Sequence, residues 1–210
     1  RVGVEADLAP QDLKEIAAEH LFYTPDKIGQ SQAGSIPLGE DREIVENWLK
    51  QYLSFTTYEI SIPVLRDASM APAGKTGLIV SVLFDYSFAK QVEAQGWYAE
   101  MKDFVAQKMI ATLDDSIYPG LRESVSHFFV STPLTMARMF GNHQGAITGW
   151  SFTNEWMPAE DRMLHIANSV KTKLPDVYQA GQWTYSPSGL PISILTGKMA
   201  ADAVSKKLKR

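Results

Sequence analysis

Tyr58-Glu59-Ile60-Ser61-Ile62-Pro63 and Gly77-Leu78-Ile79-Val80-Ser81-Val82-Leu83-Phe84 decide the fold class. In the first stretch apolar residues take every second position and polar residues fill the gaps. That is the period of a strand with one face in a core. The second is a nearly continuous apolar run, which predicts a strand covered on both faces. Arg66 to Lys75, with Pro72 and Gly74, reads as the turn between them. Residues 56–84 are therefore expected to form two antiparallel neighbours.

Working outward, the clearest helix is 97–117. Trp97, Met101, Val105, Met109, Leu113 and Ile117 recur at every fourth position, widened by Phe104 and Ile110, and Pro119-Gly120 ends it. A shorter helix is expected over 41–51, with Ile44, Val45, Trp48 and Leu49 on one face. Strands are expected at 20–23, 125–131 and 146–152. Thr132-Pro133 reads as an N-cap followed by proline in the first turn, so a helix should run to Met139. Pro10 opens a helical turn with Leu13, Ile16 and Ala17. Residues 24–40 read as a surface loop. Asp176 to Gly181 is expected to be a short buried strand. Gly189-Leu190-Pro191 then opens a last helix, with Ile192, Leu195, Met199 and Ala203 facing inward. The fold class expected is α+β, with a mixed, largely antiparallel sheet.

Composition narrows the function. With 45% hydrophobic and 21% charged residues, 210 residues suffice for a sizeable core without staples. The formal net charge of −4 gives no basic field for nucleic acid. Cysteine is absent, which excludes disulfides, thiolate metal sites and a cysteine nucleophile. It fits a reducing compartment, and a cytoplasmic location is expected. The four histidines, His20, His127, His143 and His165, lack metal-ligand spacing, so no metal site is expected. No G-x-S-x-G elbow occurs. Asp114 and Asp115 point about 100° apart on a helix and do not share a site. The Met-rich helix reads as core, or as a flexible wall for a long apolar ligand. Lys206, Lys207, Lys209 and Arg210 suit a helix C-terminus, with contact to anionic headgroups at a membrane surface as the other reading. The chain opens at Arg1 and is expected to be a piece of a longer polypeptide.

The C-terminal stretch carries the strongest functional signal. An apolar segment runs into Ala180-Gly181-Gln182-Trp183-Thr184, and Ser188-Gly189-Leu190-Pro191 leads into a helix with Gly197, Ala200 and Ala201. A helix start offers free N–H groups and a positive dipole end, and a glycine lets a ligand approach the backbone. From the residues alone an ordinary strand–turn–helix fits equally well.

At these residues the sequence resembles the flavin-dependent phytoene desaturase, carotenoid isomerase and retinol saturase group, within the amine-oxidase-like flavoproteins. The resemblance extends to Ile60-Ser61-Ile62-Pro63 with Asp67 and Ala71-Pro72-Ala73-Gly74-Lys75. It includes Tyr118-Pro119-Gly120-Leu121, and Thr132-Pro133-Leu134-Thr135 with Arg138 and Gly145-Ala146-Ile147-Thr148-Gly149-Trp150. Order and spacing agree over about 56–210.

The resemblance implies the C-terminal portion of a FAD-dependent oxidoreductase, α/β overall when complete. Its reaction would be flavin hydride transfer with a long apolar polyene: desaturation, saturation or isomerisation. Residues 1–170 would form the substrate domain, and 171–210 would return to the FAD domain as its last strand and helix. Gly181 and Gln182 would lie near the ribityl or phosphate region. Backbone of Gly189, Leu190, Pro191 and Ile192 would face the flavin ring. Trp150 and Phe152 are the candidate substrate-wall residues, and no acid–base residue is singled out. The partners implied are an apolar small-molecule substrate and the FAD-binding part of the same polypeptide. Two departures stand out. No Gly-x-Gly pair occurs among the 14 glycines, so the dinucleotide fingerprint is absent. Gln182 stands where an acid is common. This segment alone is expected to bind FAD poorly and to be inactive. Two other readings remain: an amine-oxidase-like enzyme on a smaller polar substrate, and a cofactor-free binding module.

Overall fold

A computed structural model describes residues 1–13, 18–150 and 159–209. The backbone clusters into two compact units, Arg1–Gly145 and Ala146–Arg210.

The first unit is α+β. Its sheet holds β1 (Val2–Ala6), β2 (His20–Tyr23), β3 (Tyr58–Ser61), β4 (Thr76–Ser81) and β5 (Val125–Val130), in the order β2-β3-β4-β1-β5. Every pairing is antiparallel. Ile60 sits opposite Leu21 on one side and Val80 on the other. Tyr58, Ile60, Leu78, Val80, Val2 and Val4 are all buried. They join one core with α1 (Arg42–Phe55) and α3 (Tyr98–Asp114), which contribute Val45, Leu49, Leu53, Met101, Met109 and Leu113.

The other sheet face is more open. Along β4, Thr76, Leu78 and Val80 are buried, while Gly77, Ile79 and Ser81 are half-buried. The apolar run 77–84 is therefore a one-sided strand, not one covered on both faces. Its extra hydrophobicity is spent where the chain leaves the sheet, at Val82, Leu83 and Phe84. Phe22 and Phe129 are exposed on this sheet, and the Phe129 ring lies over Gly3, where a β-carbon would meet it at 2.2 Å.

The interior strand β1, between β4 and β5, has no sequence-based expectation behind it, nor does α2 (Tyr86–Ala94). α2 begins at a true cap: the Asp85 Oδ1 accepts the Phe88 N–H at 2.8 Å. α4 (Leu121–Ser124) leads into β5. α5 (Pro133–Phe140) starts as expected, with Thr132 and Thr135 forming a reciprocal capping box. Arg138 on α5 donates twice to the Glu93 carboxylate on α2, at 2.8 and 2.7 Å.

The second unit departs further from expectation. Residues 146–150 form bends rather than a strand. Gly145 and Gly149 sit at φ +67° and +79°, which breaks an extended path. Residues 151 and 152 lie outside the described residues. Asp176 to Gly181 is not a buried strand either. Asp176, Val177, Gln179 and Ala180 are exposed, Asp176 has φ +66°, and pairing is confined to one bridge, Lys171 with Tyr178. A strand needs a neighbour, and among the described residues this one has none to extend along. α6 (Leu190–Leu208) forms as expected. Its buried residue is Thr196; Leu195 is exposed, and Ile192, Met199 and Ala203 are half-buried.

Candidate functional site

The second unit folds around polar side chains as much as apolar ones. Ile166, Val170 and Tyr185 are buried, and so are Ser169, Thr184, Ser186 and Thr196. Each of these four hydroxyls has an assigned acceptor. Ser169 Oγ donates to the Ile166 carbonyl at 2.7 Å, Thr184 Oγ1 to the Gly181 carbonyl at 2.7 Å, and Ser186 Oγ to the Trp150 carbonyl at 3.0 Å. Thr196 Oγ1 donates to the Ile192 carbonyl at 2.8 Å and accepts the Gly181 N–H at 3.0 Å. That last bond ties the Gly181 turn to the start of α6.

These bonds bring most of the candidate residues together. Gly181, at φ +102°, accepts Thr184 N–H and Oγ1–H on one oxygen. The Gln182 carbonyl comes so close to Gly149 that a β-carbon there would lie 2.1 Å from its oxygen. Trp150 joins the same turn: its Nε1–H donates to the Trp183 carbonyl at 3.1 Å, and the two indoles meet edge-on at 5.3 Å. Phe152 lies outside the described residues. Beside this turn, the Arg162 side chain and N–H bond the Glu160 carboxylate and hold it below the usual carboxylate range.

The start of α6 is different in kind. Ser188 Oγ is buried and has no hydrogen-bond partner among the described residues. It is the exception in a unit whose other buried hydroxyls are paired, and such exceptions call for an explanation. Next to it, Gly189 is extended, at φ 170°, a conformation open to any residue. A β-carbon there would meet nothing nearer than Pro191 Cδ at 3.9 Å. Neither strain nor packing within the described chain requires this glycine. Pro191 has no N–H, and Ser193 N–H bonds the Gly189 carbonyl at 2.9 Å. Leu190 and Ile192 thus present the first N–H groups of a 19-residue helix. An electron-rich, flat group laid against Gly189 would lie beside those two donors.

The residues fit the ring edge of a flavin in this respect: donors on one side, open space at a glycine, a positive helix end. The described residues show no phosphate-binding glycine loop. No group of three or more His, Cys, Asp or Glu side chains among them is placed to hold a metal ion. None of the described helices is long and apolar enough to cross a membrane.

Comparison with known proteins gives two kinds of relative. Over 102 residues, 48% of this chain, it is 31% identical to prolycopene isomerase 2, chloroplastic, of an Oncidium hybrid cultivar, covering 17% of that protein. Over its whole length it is 25% identical to the 4,4'-diapophytoene desaturase (4,4'-diaponeurosporene-forming) of Staphylococcus aureus strain Newman, covering 37% of it. The relatives are carotenoid desaturases and isomerases. A carrot prolycopene isomerase, 28% identical over 103 residues, adds to the same group. The chain thus spans about a third or less of the curated relatives it matches. No protein-family model matches it. At this identity the matches support a carotenoid desaturase- and isomerase-like enzyme family.

The sequence pointed to the Gly181–Ile192 segment and included Ser188 in its Ser188-Gly189-Leu190-Pro191 motif, but gave that serine no role. The signal was available only in part. A serine before the glycine of a helix start is common, and its lack of a partner is visible only in three dimensions. The open sheet face was missed because β1 was not read as a strand.

Proposed function

We propose that this chain is the substrate-domain and C-terminal portion of a FAD-dependent oxidoreductase acting on a long apolar polyene. The observation that carries the proposal is the start of α6, with an orphaned Ser188 Oγ beside an unobstructed Gly189. Similarity to carotenoid desaturases and isomerases supports the substrate class.

Hydride transfer is the chemistry that a bound flavin supplies. The N–H groups of Leu190 and Ile192 would donate to the ring edge and favour negative charge there, and the buried Ser188 Oγ–H would join them once its side chain turns outward. Thr196 positions the site indirectly: it holds Gly181 to α6, so that Gln182 and Gly189 keep a fixed spacing. Partial membrane association through the basic α6 end fits delivery of such a substrate.

Turnover tests this reading. The complete gene product, loaded with FAD, is mixed without oxygen with acyclic C30 and C40 polyenes in detergent. The expected result is a shift of the polyene absorption bands together with bleaching of the flavin's visible absorption for a desaturation, or a band shift alone for an isomerisation. Turnover of small amines with inert polyenes would overturn the substrate assignment.

A further inference from the structure

The first unit holds a cleft of about 580 Å³, walled by Ile36, Trp48, Tyr52, Leu83, Phe84 and Phe88. The aromatic rings form one continuous cluster. Trp48 stacks on Tyr52 at 4.9 Å and tilts against Phe88 at 5.1 Å, and Phe84 meets Phe88 edge-on at 5.4 Å. Gln30, Ser31 and Asp85 are its other polar lining residues, and two of the polar groups at the cleft are already engaged. The Tyr52 hydroxyl donates to the Leu83 carbonyl, and Asp85 caps α2.

Trp48 Nε1 is not engaged. It is buried and has no acceptor among the described residues. The indoles of Trp97 and Trp150 show the normal state, donating to Gln95 Oε1 at 2.9 Å and to the Trp183 carbonyl at 3.1 Å. A buried N–H without an acceptor is unfavourable, and a ligand oxygen would relieve it.

We propose that this cleft binds a flat, uncharged ring ligand bearing a carbonyl oxygen, with Trp48 Nε1–H donating to that oxygen. The volume lies within the ordinary range for small-molecule sites, and aromatic walls favour a planar π-face. The exposed Asp85 carboxylate at the rim disfavours an anion. The nitrogen has almost no free surface, so the ligand oxygen meets it after a small rocking of the half-buried indole. The inference does not rest on the flavin reading, since cleft and α6 belong to different units.

The test uses the 210-residue chain labelled with ¹⁵N at its indoles. It is titrated with 1-acetonaphthone and with 1-ethylnaphthalene, which has the same rings and nearly the same shape but no acceptor. The expected result is a saturable downfield shift of the Trp48 indole resonance by the ketone, which binds about tenfold more tightly than the hydrocarbon. In Trp48→Phe, followed by equilibrium dialysis, the preference falls to about one. Equal affinity for the two compounds, or no saturable movement of the Trp48 resonance, overturns the proposal. Should Trp48→Phe fail to fold, the wild-type pair of titrations, with the resonance assigned by through-bond correlation, gives the decision.

Discussion

Ile60→Ala lowers the unfolding midpoint of the first unit by about 4–15 °C, whereas Ile79→Ala lowers it by only about 1–3 °C. Both residues are isoleucines in neighbouring strands of one sheet. Ile60 is fully buried, flanked by Leu21 and Val80 and packed into the core under α1 and α3. Truncating it leaves a cavity and costs about 2–5 kcal/mol. Ile79 lies opposite Ser61 and Gly3 on the open face and is half-buried. Its loss removes apolar area already partly in water, about 1 kcal/mol. Calorimetry on the two variants checks this. Equal effects would mean that β4 is covered on both faces, as its apolar run alone suggested.

Gly149→Ala disorders the second unit. Two costs add at this position. The residue holds φ +79°, where a non-glycine residue is strained by about 1–3 kcal/mol. Its new β-carbon would lie 2.1 Å from the Gln182 carbonyl oxygen, so backbone has to move. The movement parts Trp150 Nε1 from the Trp183 carbonyl and Ser186 Oγ from the Trp150 carbonyl. Amide exchange across 180–196 is the readout. The expected change is a loss of protection of about a hundredfold or more there, with residues in β1, β3 and β4 unaffected. Unchanged protection at 180–196 would show that the Gly149 contact does not hold the turn.

Where a period could be read, the sequence was a good guide. Tyr58, Ile60 and Leu78 fell on the buried face, and the Met101–Leu113 stripe became the inner side of α3. Capping chemistry was equally legible at Thr132. β1 was not, because Val2, Gly3, Val4 and Ala6 are all buried and only Glu5 interrupts them. Five residues with one polar position show no period, and an interior place in a sheet is a property of pairing partners far away in sequence. α2 is nine residues long, and its Asp85 cap follows directly on the apolar run of β4, which masked it. The strands expected at 146–152 and 176–181 failed for a related reason. Apolar content alone does not make a strand: positive-φ Gly149 and Asp176 turn the chain away, and among the described residues the pairing of 176–181 stops at the single Lys171–Tyr178 bridge. At the candidate site the sequence marked the turn and the helix start. It could not mark Ser188, whose significance is the lack of a partner.

In the proposed function the start of α6 lies against a flavin. The most direct measurement is the visible absorption of the complete gene product after desalting, for the wild type and for Gly189→Val. A β-carbon at 189 meets only Pro191 Cδ at 3.9 Å, and φ 170° suits valine. The fold should therefore lose no more than about 1 kcal/mol, from the poorer cap. The expected result is a yellow wild-type protein that keeps its flavin absorption, and a Gly189→Val protein that is folded but nearly colourless. A wild type that is colourless after desalting, or a Gly189→Val protein that keeps its full flavin content, would contradict it.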